Sequence, residues 1–456
     1  MLRHTPGRIA AVLGGATLAA GAASAQTVTF TKIVGPDSEI RVLGNRPALR
    51  DGVVAFYGFI DDGQENPALV ATAPADGAGP FTVLAMAGDE MPDEPGQHFL
   101  TFENPTIFDG LVAFKGDNNV LGSTYYNTID AGPLQVITDF EIGNSFLGPN
   151  GITWHAEFGQ NIMTLGGAND AFAEGGEPHP CGDGHFLFEN VQIGHLPQAS
   201  DGLIIWPDFA FDPDVDATIA VFTYDPLRGL LTCVASGHDD IPGPGVPFDY
   251  FFDADTDGQA AIFTAKDDKF VGFGAYLGLF MRSADGAGTI TTIVDNETEA
   301  PGGGTFGSFG EITIDPGLVI FEACVGSPFD CDRIGIYAIP IEHDEPGEII
   351  EIITTDDTID DQPIFALSMD VAGRDANQLA IDVRHTPSVA SLYVVNIDPA
   401  SCPADFNADG ELNILDFIAF QEAFTAGDPS TDCNADGALN ILDFICFQVL
   451  FLGGCD

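Results

Sequence analysis

The sequence predicts a mainly β protein in which a long repeated body is followed by a small all-α module. Three observations support this class. The composition is rich in turn formers, with 54 Gly and 30 Pro, and it includes 36 Phe. A unit of short strands recurs through the body, and two closely similar oxygen-rich segments stand near the C-terminus. Because 45% of the 456 residues are hydrophobic, the chain can build a packed core.

The charge balance excludes some classes of partner. The chain carries 69 acidic and 14 basic side chains, a formal net charge of −55. A phosphate backbone would be repelled by such a surface, so we expect no nucleic-acid partner. Cations, and calcium above all, are the natural partners of an acidic chain of this kind.

Residues 1–25 are predicted to be a signal peptide. Arg3 and Arg8 supply a positive start, Ile9–Ala22 is apolar, and Ala23–Ala25 offers a small-x-small cleavage pattern. No later segment has enough consecutive apolar residues to cross a membrane, so no transmembrane segment is expected. The mature protein is therefore expected to be secreted, either extracellular or at the cell surface.

The body, residues 26–400, contains two recurring markers. The first is an Asp-Gly turn before a short apolar strand, and its clear copies are 58, 56 and 58 residues apart (51 to 109, 201 to 257, 257 to 315). The second is a strand that runs into an acidic turn. The first marker begins at Asp51, Asp109, Asp201, Asp257 and Asp315, with weaker copies at Asn150 and Leu379; the second covers Val83–Pro92, Val136–Glu141, Cys233–Pro242, Thr292–Pro301 and Ile352–Asp357.

A period near fifty residues is typical of four-stranded propeller blades, which bury both faces only when they stack around an axis. The repeat predicts a six- or seven-bladed β-propeller, with seven blades if the Asn150 copy is a blade and six if it is an insertion. The alternative is a β-sandwich or a stack of sandwiches. Because Leu379–Val383 and Leu392–Val395 begin a blade that is not finished, we expect the N-terminal strand near Thr27–Asp37 to complete it.

Residues 401–456 contain a duplicated twelve-residue loop that resembles an EF-hand calcium loop. Each copy has oxygen side chains at positions 1, 3, 5, 9 and 12, Gly at position 6, and a backbone carbonyl at position 7, which suits a hard cation. Position 12 is Asp instead of the usual Glu. The alternative is a pair of Asx-rich turns without metal. The predicted Ca²⁺ ligands are Asp405, Asn407, Asp409, Glu411, Asn413 and Asp416 in the first copy, and Asp432, Asn434, Asp436, Ala438, Asn440 and Asp443 in the second.

Each loop is followed by a predicted helix, Ile414–Phe424 and Ile441–Phe451, whose Phe side chains at helical spacing are expected to pack together. Two loop-helix units that share a small core resemble a dockerin. With its cysteines, this stretch is similar to the GC-type dockerin domain-anchored protein family. The resemblance implies attachment to a cohesin-like or cell-surface protein through exposed helix residues. Loop positions 10 and 11 are Ile414-Leu415 and Ile441-Leu442 where dockerins often carry Ser or Thr, which favours an apolar interface or burial against the body.

The eight cysteines divide into four in the body and four in the C-terminal module, and each set allows three pairings. Export favours disulfides within each set. Proximity along the chain favours Cys324–Cys331, which leaves Cys181–Cys233. The pseudo-symmetry of the module favours Cys433–Cys446, with Cys402–Cys455 joining its ends.

The body shows no strong catalytic motif. Neither GxSxG nor HExxH occurs. His179, Cys181, Asp183 and His185 form a compact group that is better explained as a disulfide-bearing loop, because His-x₅-His does not match a tetrahedral metal site. The segment from Asp253 to Gly258 begins like a calcium loop but lacks the closing ligand. The two tryptophans, Trp154 and Trp206, are expected in the core.

Two functions from different classes follow. We favour a secreted, non-catalytic β-propeller that acts as a binding or surface protein and is attached through the calcium-ordered module, with a glycan as a candidate ligand. The alternative is a polysaccharide-degrading enzyme, a glycoside hydrolase or lyase, carried by a dockerin. A calcium-dependent adhesin is a third hypothesis. A central site with two or three carboxylates and a basic residue would favour catalysis.

Overall fold

The structure, a computed structural model, describes residues 27–42, 46–61, 66–92, 94–118, 122–138, 145–148, 151–156, 159–163, 169–174, 180–181, 186–187, 198–200, 202–212, 215–267, 276–315, 317–327, 330–342, 345–398, 404, 406, 412–428, 431, 433 and 439–453. The predicted signal peptide lies outside these residues. Contacts between residues divide the chain into two compact units, of which one is Val28–Ile397 and the other contains Asp398–Asp456.

The first unit is built from seven consecutive antiparallel sheets of four or five strands among the described residues. Strand β1 (Thr27–Val34) comes first in the chain but belongs to the seventh sheet. Sheet 1 contains β2 (Ile40–Val42), β3 (Ala48–Arg50), β4 (Val53–Ile60), β5 (Ala68–Pro74) and β6 (Thr82–Met86). Sheet 2 contains β7 (Thr101–Phe108), β8 (Leu111–Asp117), β9 (Gly122–Thr128) and β10 (Gln135–Thr138). Sheet 3 contains β11 (Ser145–Gly148), β12 (Gly151–Ala156), β13 (Gly159–Met163) and β14 (Asn169–Glu174).

The remaining sheets follow the same order along the chain. Sheet 4 contains β15 (Phe186–Leu187), β16 (Gln198–Ser200), β17 (Leu203–Asp212), β18 (Val215–Asp225) and β19 (Leu230–Ser236). Sheet 5 contains β20 (Tyr250–Thr256), β21 (Ala260–Lys266), β22 (Leu277–Ser283) and β23 (Thr291–Asp295). Sheet 6 contains β24 (Phe306–Asp315), β25 (Leu318–Ser327), β26 (Asp330–Glu342), β27 (Glu345–Pro346) and β28 (Ile350–Thr354). A short hairpin of β29 (Thr358–Ile359) and β30 (Gln362–Pro363) precedes sheet 7, which contains β31 (Ala366–Asp375), β32 (Gln378–Thr386), β33 (Val389–Asp398) and β1.

Asp-Gly markers lie in the turns that join β3 to β4, β7 to β8 and β20 to β21. At Asp51-Gly52 both residues have positive φ, 50° and 73°, and at Asp109-Gly110 the angles are 48° and 72°. Two successive positive φ angles define the tight turn whose twist matches a hairpin, and Asp-Gly is among the residue pairs that adopt it most readily. In the weaker copy at Asn150, the described part is the apolar strand β12, which lies in a separate sheet, sheet 3. The prediction of a mainly β body with repeated sheets is confirmed.

The hydrophobic core lies between neighbouring sheets. Buried clusters combine side chains of sheets 1 and 2, 4 and 5, 5 and 6, 6 and 7, and 7 and 1. Early strands of successive sheets also contact one another, from β3 to β7, β11, β16, β20, β24 and β31, and β31 contacts β3 again. The contacts between sheets therefore return to the sheet from which they started.

The N-terminal strand completes the last sheet, as the sequence predicted. Strand β1 lies beside β33, and its Ile33 and Val34 are buried in the cluster shared by sheets 7 and 1. Lys32 of β1 forms an ion pair with Asp360, which also accepts a hydrogen bond of 2.7 Å from the hydroxyl of Tyr393. By pairing with β33, strand β1 covers the edge of that strand and becomes the outermost strand of sheet 7.

Buried polar groups join the first strands of sheets 5, 6 and 7. Asp255 of β20 accepts hydrogen bonds of 2.9 Å from the hydroxyl of Thr313 and from the N–H of Ile314. Arg374 of β31 is buried and donates to the carbonyl oxygens of Thr313 and Leu318, at 3.3 and 2.8 Å. Burial raises the pKa of Asp255 to about 7 and lowers that of Arg374 to about 10. These bonds fix the first strands of three sheets to one another.

The second unit contains two helices, α1 (Ile414–Ala426) and α2 (Ile441–Gly453). As predicted, their Phe side chains pack together with Phe420 and Phe447 buried at the centre. Helix α1 begins at the N-cap Asn413 and ends at Gly427, whose φ of 76° is readily adopted only by glycine. Among the helices of the described residues, none has the length and apolar character needed to span a bilayer.

Three of the four favoured disulfides are confirmed. Cys181–Cys233, Cys324–Cys331 and Cys433–Cys446 have Cα–Cα distances of 5.1, 5.5 and 5.9 Å. Cys402 and Cys455 lie outside the described residues, so their pairing stays a prediction.

Candidate functional site

The first strands of sheets 5, 6 and 7 carry β-bulges at corresponding places. The register shifts between Phe251 and Ala254 in β20, between Phe309 and Ile312 in β24, and between Met369 and Arg374 in β31. Each bulge contains an acidic residue, and these are Asp253, Glu311 and Asp370. A bulge turns a side chain away from the regular alternation of a strand, which is why bulges occur often beside functional sites.

Arg46, which precedes β3 in sheet 1, joins two of these acidic residues. Its Nη2 lies 3.2 Å from Oε1 of Glu311, and its Nε lies 3.5 Å from Oδ2 of Asp370. The side chain of Asp370 is 9% exposed, that of Glu311 28% and that of Arg46 45%. The group therefore has a buried base and a solvent-accessible side, and it draws residues from sheets 1, 5, 6 and 7.

Burial and negative charges within this group raise the pKa values of Glu311 and Asp370. Burial, together with the negative charges of Asp370 and Asp253, raises the pKa of Glu311 to about 8, and Arg46 acts in the opposite direction. Burial also raises the pKa of Asp370. Glu322 of β25 has a pKa raised to about 7 by burial and accepts a hydrogen bond from the N–H of Met369. Near neutral pH the group therefore holds exchangeable protons beside a fixed positive charge.

We call this group the bulge cluster; it consists of Arg46, Asp253, Glu311 and Asp370. Its chemistry is that of a proton donor and a proton acceptor next to a guanidinium group. It can also bind hydroxyl groups through carboxylate acceptors and Arg donors. Within the part of the chain that the structure describes, no three or more His, Cys, Asp or Glu side chains are grouped to hold a metal ion.

Sequence reasoning did not select the bulge cluster, although a signal was present. Asp253 and Glu311 are 58 residues apart, and Glu311 and Asp370 are 59 apart, which matches the repeat period. The three acidic residues therefore occupy equivalent positions of successive repeats. Arg46 belongs to the first repeat and had no such signal.

Of the predicted calcium ligands, the structure describes only the last two of each loop, which are Asn413 and Asp416 in the first copy and Asn440 and Asp443 in the second. Asn413 and Asn440 accept hydrogen bonds from the N–H of Leu415 and Leu442, at 2.8 and 2.9 Å. The other eight predicted ligand positions lie outside the described residues: Asp405, Asn407, Asp409, Glu411, Asp432, Asn434, Asp436 and Ala438.

The closing carboxylates have the same geometry in both copies. Asp416 and Asp443 are fully buried at the first turn of their helices. Each accepts a hydrogen bond from the N–H of the preceding Asn, at 2.8 Å for Asn413 and 2.7 Å for Asn440. Carboxylate and amide oxygens are the donors that a hard cation prefers, and both residue types are present at the end of each loop. In residue type, the described Asn413, Asp416, Asn440 and Asp443 fit a Ca²⁺ ion.

The face of the module that bears loop positions 10 and 11 is apolar and exposed. Ile414 and Leu415 are 65% and 54% exposed, and Ile441 and Leu442 are 67% and 53% exposed. We call these two pairs, with Ile418 and Ile445 one turn further along each helix, the paired apolar patches. Ile418 and Ile445 are exposed as well. The near-equality of the two copies follows from the duplicated sequence.

The other sequence candidates in the body are structural. Asp255 is buried between sheets 5 and 6, and Asp257 accepts backbone hydrogen bonds of 2.9 and 2.7 Å from Gln259 and Ala260 within its turn. Cys181 is in a disulfide, as the sequence favoured, and His179, Asp183 and His185 lie outside the described residues. Trp206 is fully buried, as predicted. Trp154 lies in β12, and its side chain is outside the described part.

No family model matches the chain, and no curated protein sequence matches it. Solved structures with a similar path include the β-propeller domain of the Trilobed protease from Pyrococcus furiosus, at 12% identity and a TM-score of 0.44 over 82% of this chain and 94% of that one. They also include the acylaminoacyl peptidase from Pyrococcus horikoshii, at 13% identity and a TM-score of 0.45 over 78% of this chain and 52% of that one. TolB from Acinetobacter baumannii is similar at 12% identity and a TM-score of 0.35 over 66% of this chain and 65% of that one.

Proposed function

We propose that the chain is an exported, seven-bladed β-propeller that binds a partner or ligand and is attached through a calcium-ordered, dockerin-like module. The propeller part rests on the seven sheets, the contacts that return from sheet 7 to sheet 1, and the pairing of β1 with β33. A propeller hosts both binding proteins and enzymes, so the fold supports the scaffold and leaves the activity to the sites.

The attachment part rests on one observation, the identical arrangement of the two helix starts. In each copy a fully buried Asp closes the loop while an Ile-Leu pair is exposed directly beside it. Removing a carboxylate from water is costly, and a bound cation offsets that cost. A cation at each loop would therefore fix the helix start that presents the apolar pair, so calcium binding and partner binding would be coupled.

Calorimetry on the full chain tests the calcium step. We expect two bound Ca²⁺ ions per chain, with one lost in Asp416→Ala and one lost in Asp443→Ala. Glu422→Gln removes a carboxylate from an exposed position on α1 outside the loops and serves as the matched control, with two ions retained. If calcium produced no heat with the unaltered chain, or if the loop variants bound as many ions as the control, the proposal would be wrong.

A second candidate function, cleavage of a polysaccharide, is favoured by the bulge cluster. It combines three carboxylates with a basic residue, and the raised pKa of Glu311 is suited to a general acid near neutral pH. Glycoside cleavage uses a pair of carboxyl groups, one of which is kept protonated.

One assay distinguishes the two functions. The full chain is applied to a glycan array while release of reducing ends or unsaturated products is monitored in parallel. Binding without release supports the binding protein. Release that is lost in Glu311→Gln, and kept in the exposed control Glu299→Gln, supports the enzyme and contradicts the non-catalytic proposal.

A further inference from the structure

Two grooves flank sheet 5 at the end of the sheet where the β20–β21 and β22–β23 turns lie. Groove A, between sheets 5 and 6, has a volume of about 670 Å³, and groove B, between sheets 4 and 5, has a volume of about 490 Å³. Gln259 and Ser283 line both grooves, so the two meet at this pair. Gln259 directly precedes β21 and Ser283 ends β22, and both are exposed.

Each groove has apolar side chains among its lining. Met281, Ile314 and Ile341 line groove A, whereas Leu203, Leu227 and Leu230 line groove B. Leu227 is 87% exposed, the largest exposed fraction of any large hydrophobic side chain among the described residues. In the corresponding turn of sheet 5, the residues are Asp285-Gly286-Ala287-Gly288, so the projecting leucine is a feature of sheet 4.

The charge that the grooves offer is negative. Asp257 and Glu345 line groove A, and Asp225 and Asp285 line groove B. The two arginines of the grooves are already engaged. Arg282 donates to the carbonyl oxygens of Val234 and Gly288, at 2.8 and 3.2 Å. Arg228 lies 3.4 Å from a carboxylate oxygen of Asp225.

The shape favours an extended occupant. Grooves A and B meet at Gln259 and Ser283, so an extended peptide can cross from one groove to the other while its alternate side chains enter the apolar hollows. In the described part of the chain, no aromatic side chain lines either groove, which disfavours stacking of a sugar ring.

We propose that grooves A and B together form a docking site for an extended segment of a partner protein in which Lys or Arg residues alternate with apolar residues. The apolar side chains enter the two grooves, the amide of Gln259 bonds the peptide backbone where the grooves meet, and the basic side chains face Asp257, Asp285 and Glu345. None of the described residues that line the two grooves belongs to the bulge cluster or to residues 401–456.

The experiment measures binding of a fluorescein-labelled octapeptide of alternating lysine and leucine to the full chain in 0.15 M salt, by fluorescence anisotropy. An octapeptide of alternating glutamate and leucine is the charge control, and we expect it to bind at least tenfold more weakly. Ala287→Trp places a large ring in groove A and is expected to weaken binding of the basic peptide at least tenfold.

Ala78→Trp is the matched control for the groove. Ala78 lies in the equivalent turn of sheet 1, Asp76-Gly77-Ala78-Gly79, and its N–H donates to Asp76 at 2.9 Å, as that of Ala287 does to Asp285. We expect this variant to bind within twofold of the unaltered chain. Equal weakening in both tryptophan variants would overturn the proposal.

A charge reversal separates a local site from general attraction to an acidic surface, and it does not depend on the fate of the tryptophan variants. Glu345→Lys changes a groove residue, and Glu348→Lys makes the same change at an exposed position three residues away that does not line either groove. We expect at least a fivefold loss of peptide affinity for the first variant and less than a twofold loss for the second. At this salt concentration, the interaction between exposed charges is largely screened beyond about 8 Å. Equal losses would mean non-specific attraction, and the proposal would be wrong.

Discussion

Phe420 of α1 and Phe447 of α2 lie face to face, with ring centroids 4.0 Å apart and an angle of 6° between their planes. They occupy equivalent positions of the two copies, since they are 27 residues apart in the chain. Both are buried, and the other Phe side chains of the two helices surround them. The internal symmetry of the module therefore relates the two rings, and together they form the centre of a very small core.

We predict that Phe447→Ala destabilises the second unit by about 3–5 kcal/mol, because it removes a large buried ring and leaves a cavity. Val449→Ala, at an exposed position on the same helix, is expected to cost less than about 1 kcal/mol. Denaturant unfolding followed by hydrogen exchange at the helix amides measures both values. A Phe447→Ala variant as stable as Val449→Ala would show that the ring pair does not hold the module together.

Loss of Arg374 should weaken the contact between sheets 6 and 7. Arg374→Met removes the hydrogen bonds to Thr313 and Leu318 and the positive charge that opposes the raised pKa of Asp255. We expect a decrease of about 2–5 kcal/mol in the free energy of unfolding, since two carbonyl oxygens lose the buried donor that they share. The exposed Arg228→Met is the control and should change stability by no more than about 1 kcal/mol. Urea unfolding of the three proteins decides the matter.

The pH dependence of stability should report Glu311. Its pKa is about 8 in the folded chain and near 4.5 when unperturbed, so between these values the folded state holds a proton that the unfolded state has lost. The contribution of Glu311 to the free energy of unfolding is therefore fully present below about pH 4.5 and is lost as the pH rises through about 8. We predict that Glu311→Gln flattens the decrease between pH 5 and pH 8, whereas Glu299→Gln leaves it unchanged. Thermal melting across this range gives the slopes; parallel curves for the two variants would contradict the assignment.

Reduction of Cys433–Cys446 should loosen the second unit. The two residues are 13 positions apart, and closing a loop of about this length contributes about 3 kcal/mol by restricting the unfolded chain. We expect the double variant Cys433→Ser, Cys446→Ser to lose about this much stability. The corresponding Ser pair at Cys324 and Cys331, seven positions apart in the first unit, should leave hydrogen exchange in α1 and α2 unchanged. Exchange that is unaffected by the first change, or equally affected by both, would show that the bridge does not stabilise the helices.

The parts of the structure that the sequence predicted are those set by local chemistry. Asp51-Gly52 and Asp109-Gly110 indicate hairpins because few residue pairs accept two positive φ angles. The packing of the Phe side chains of α1 and α2 follows from their helical spacing. The bulge cluster was not predicted, because it depends on register shifts in three strands that are far apart in the chain. The exposure of Leu227 was not predicted either, since an exposed and a buried leucine look the same in a sequence.

Strand β1 imposes an order on biosynthesis. Its partner β33 begins at residue 389, so the first strand to emerge must wait for more than three hundred further residues before its hydrogen-bonding groups find their permanent partners. Folding that requires so distant a pairing is slow, and until it occurs the waiting strand is open to wrong partners. A molecule joined at that point and cut instead in a connection between two sheets, such as residues 237–249 between β19 and β20, would let each sheet form as soon as it is synthesised, which makes circular permutation a means of speeding its maturation.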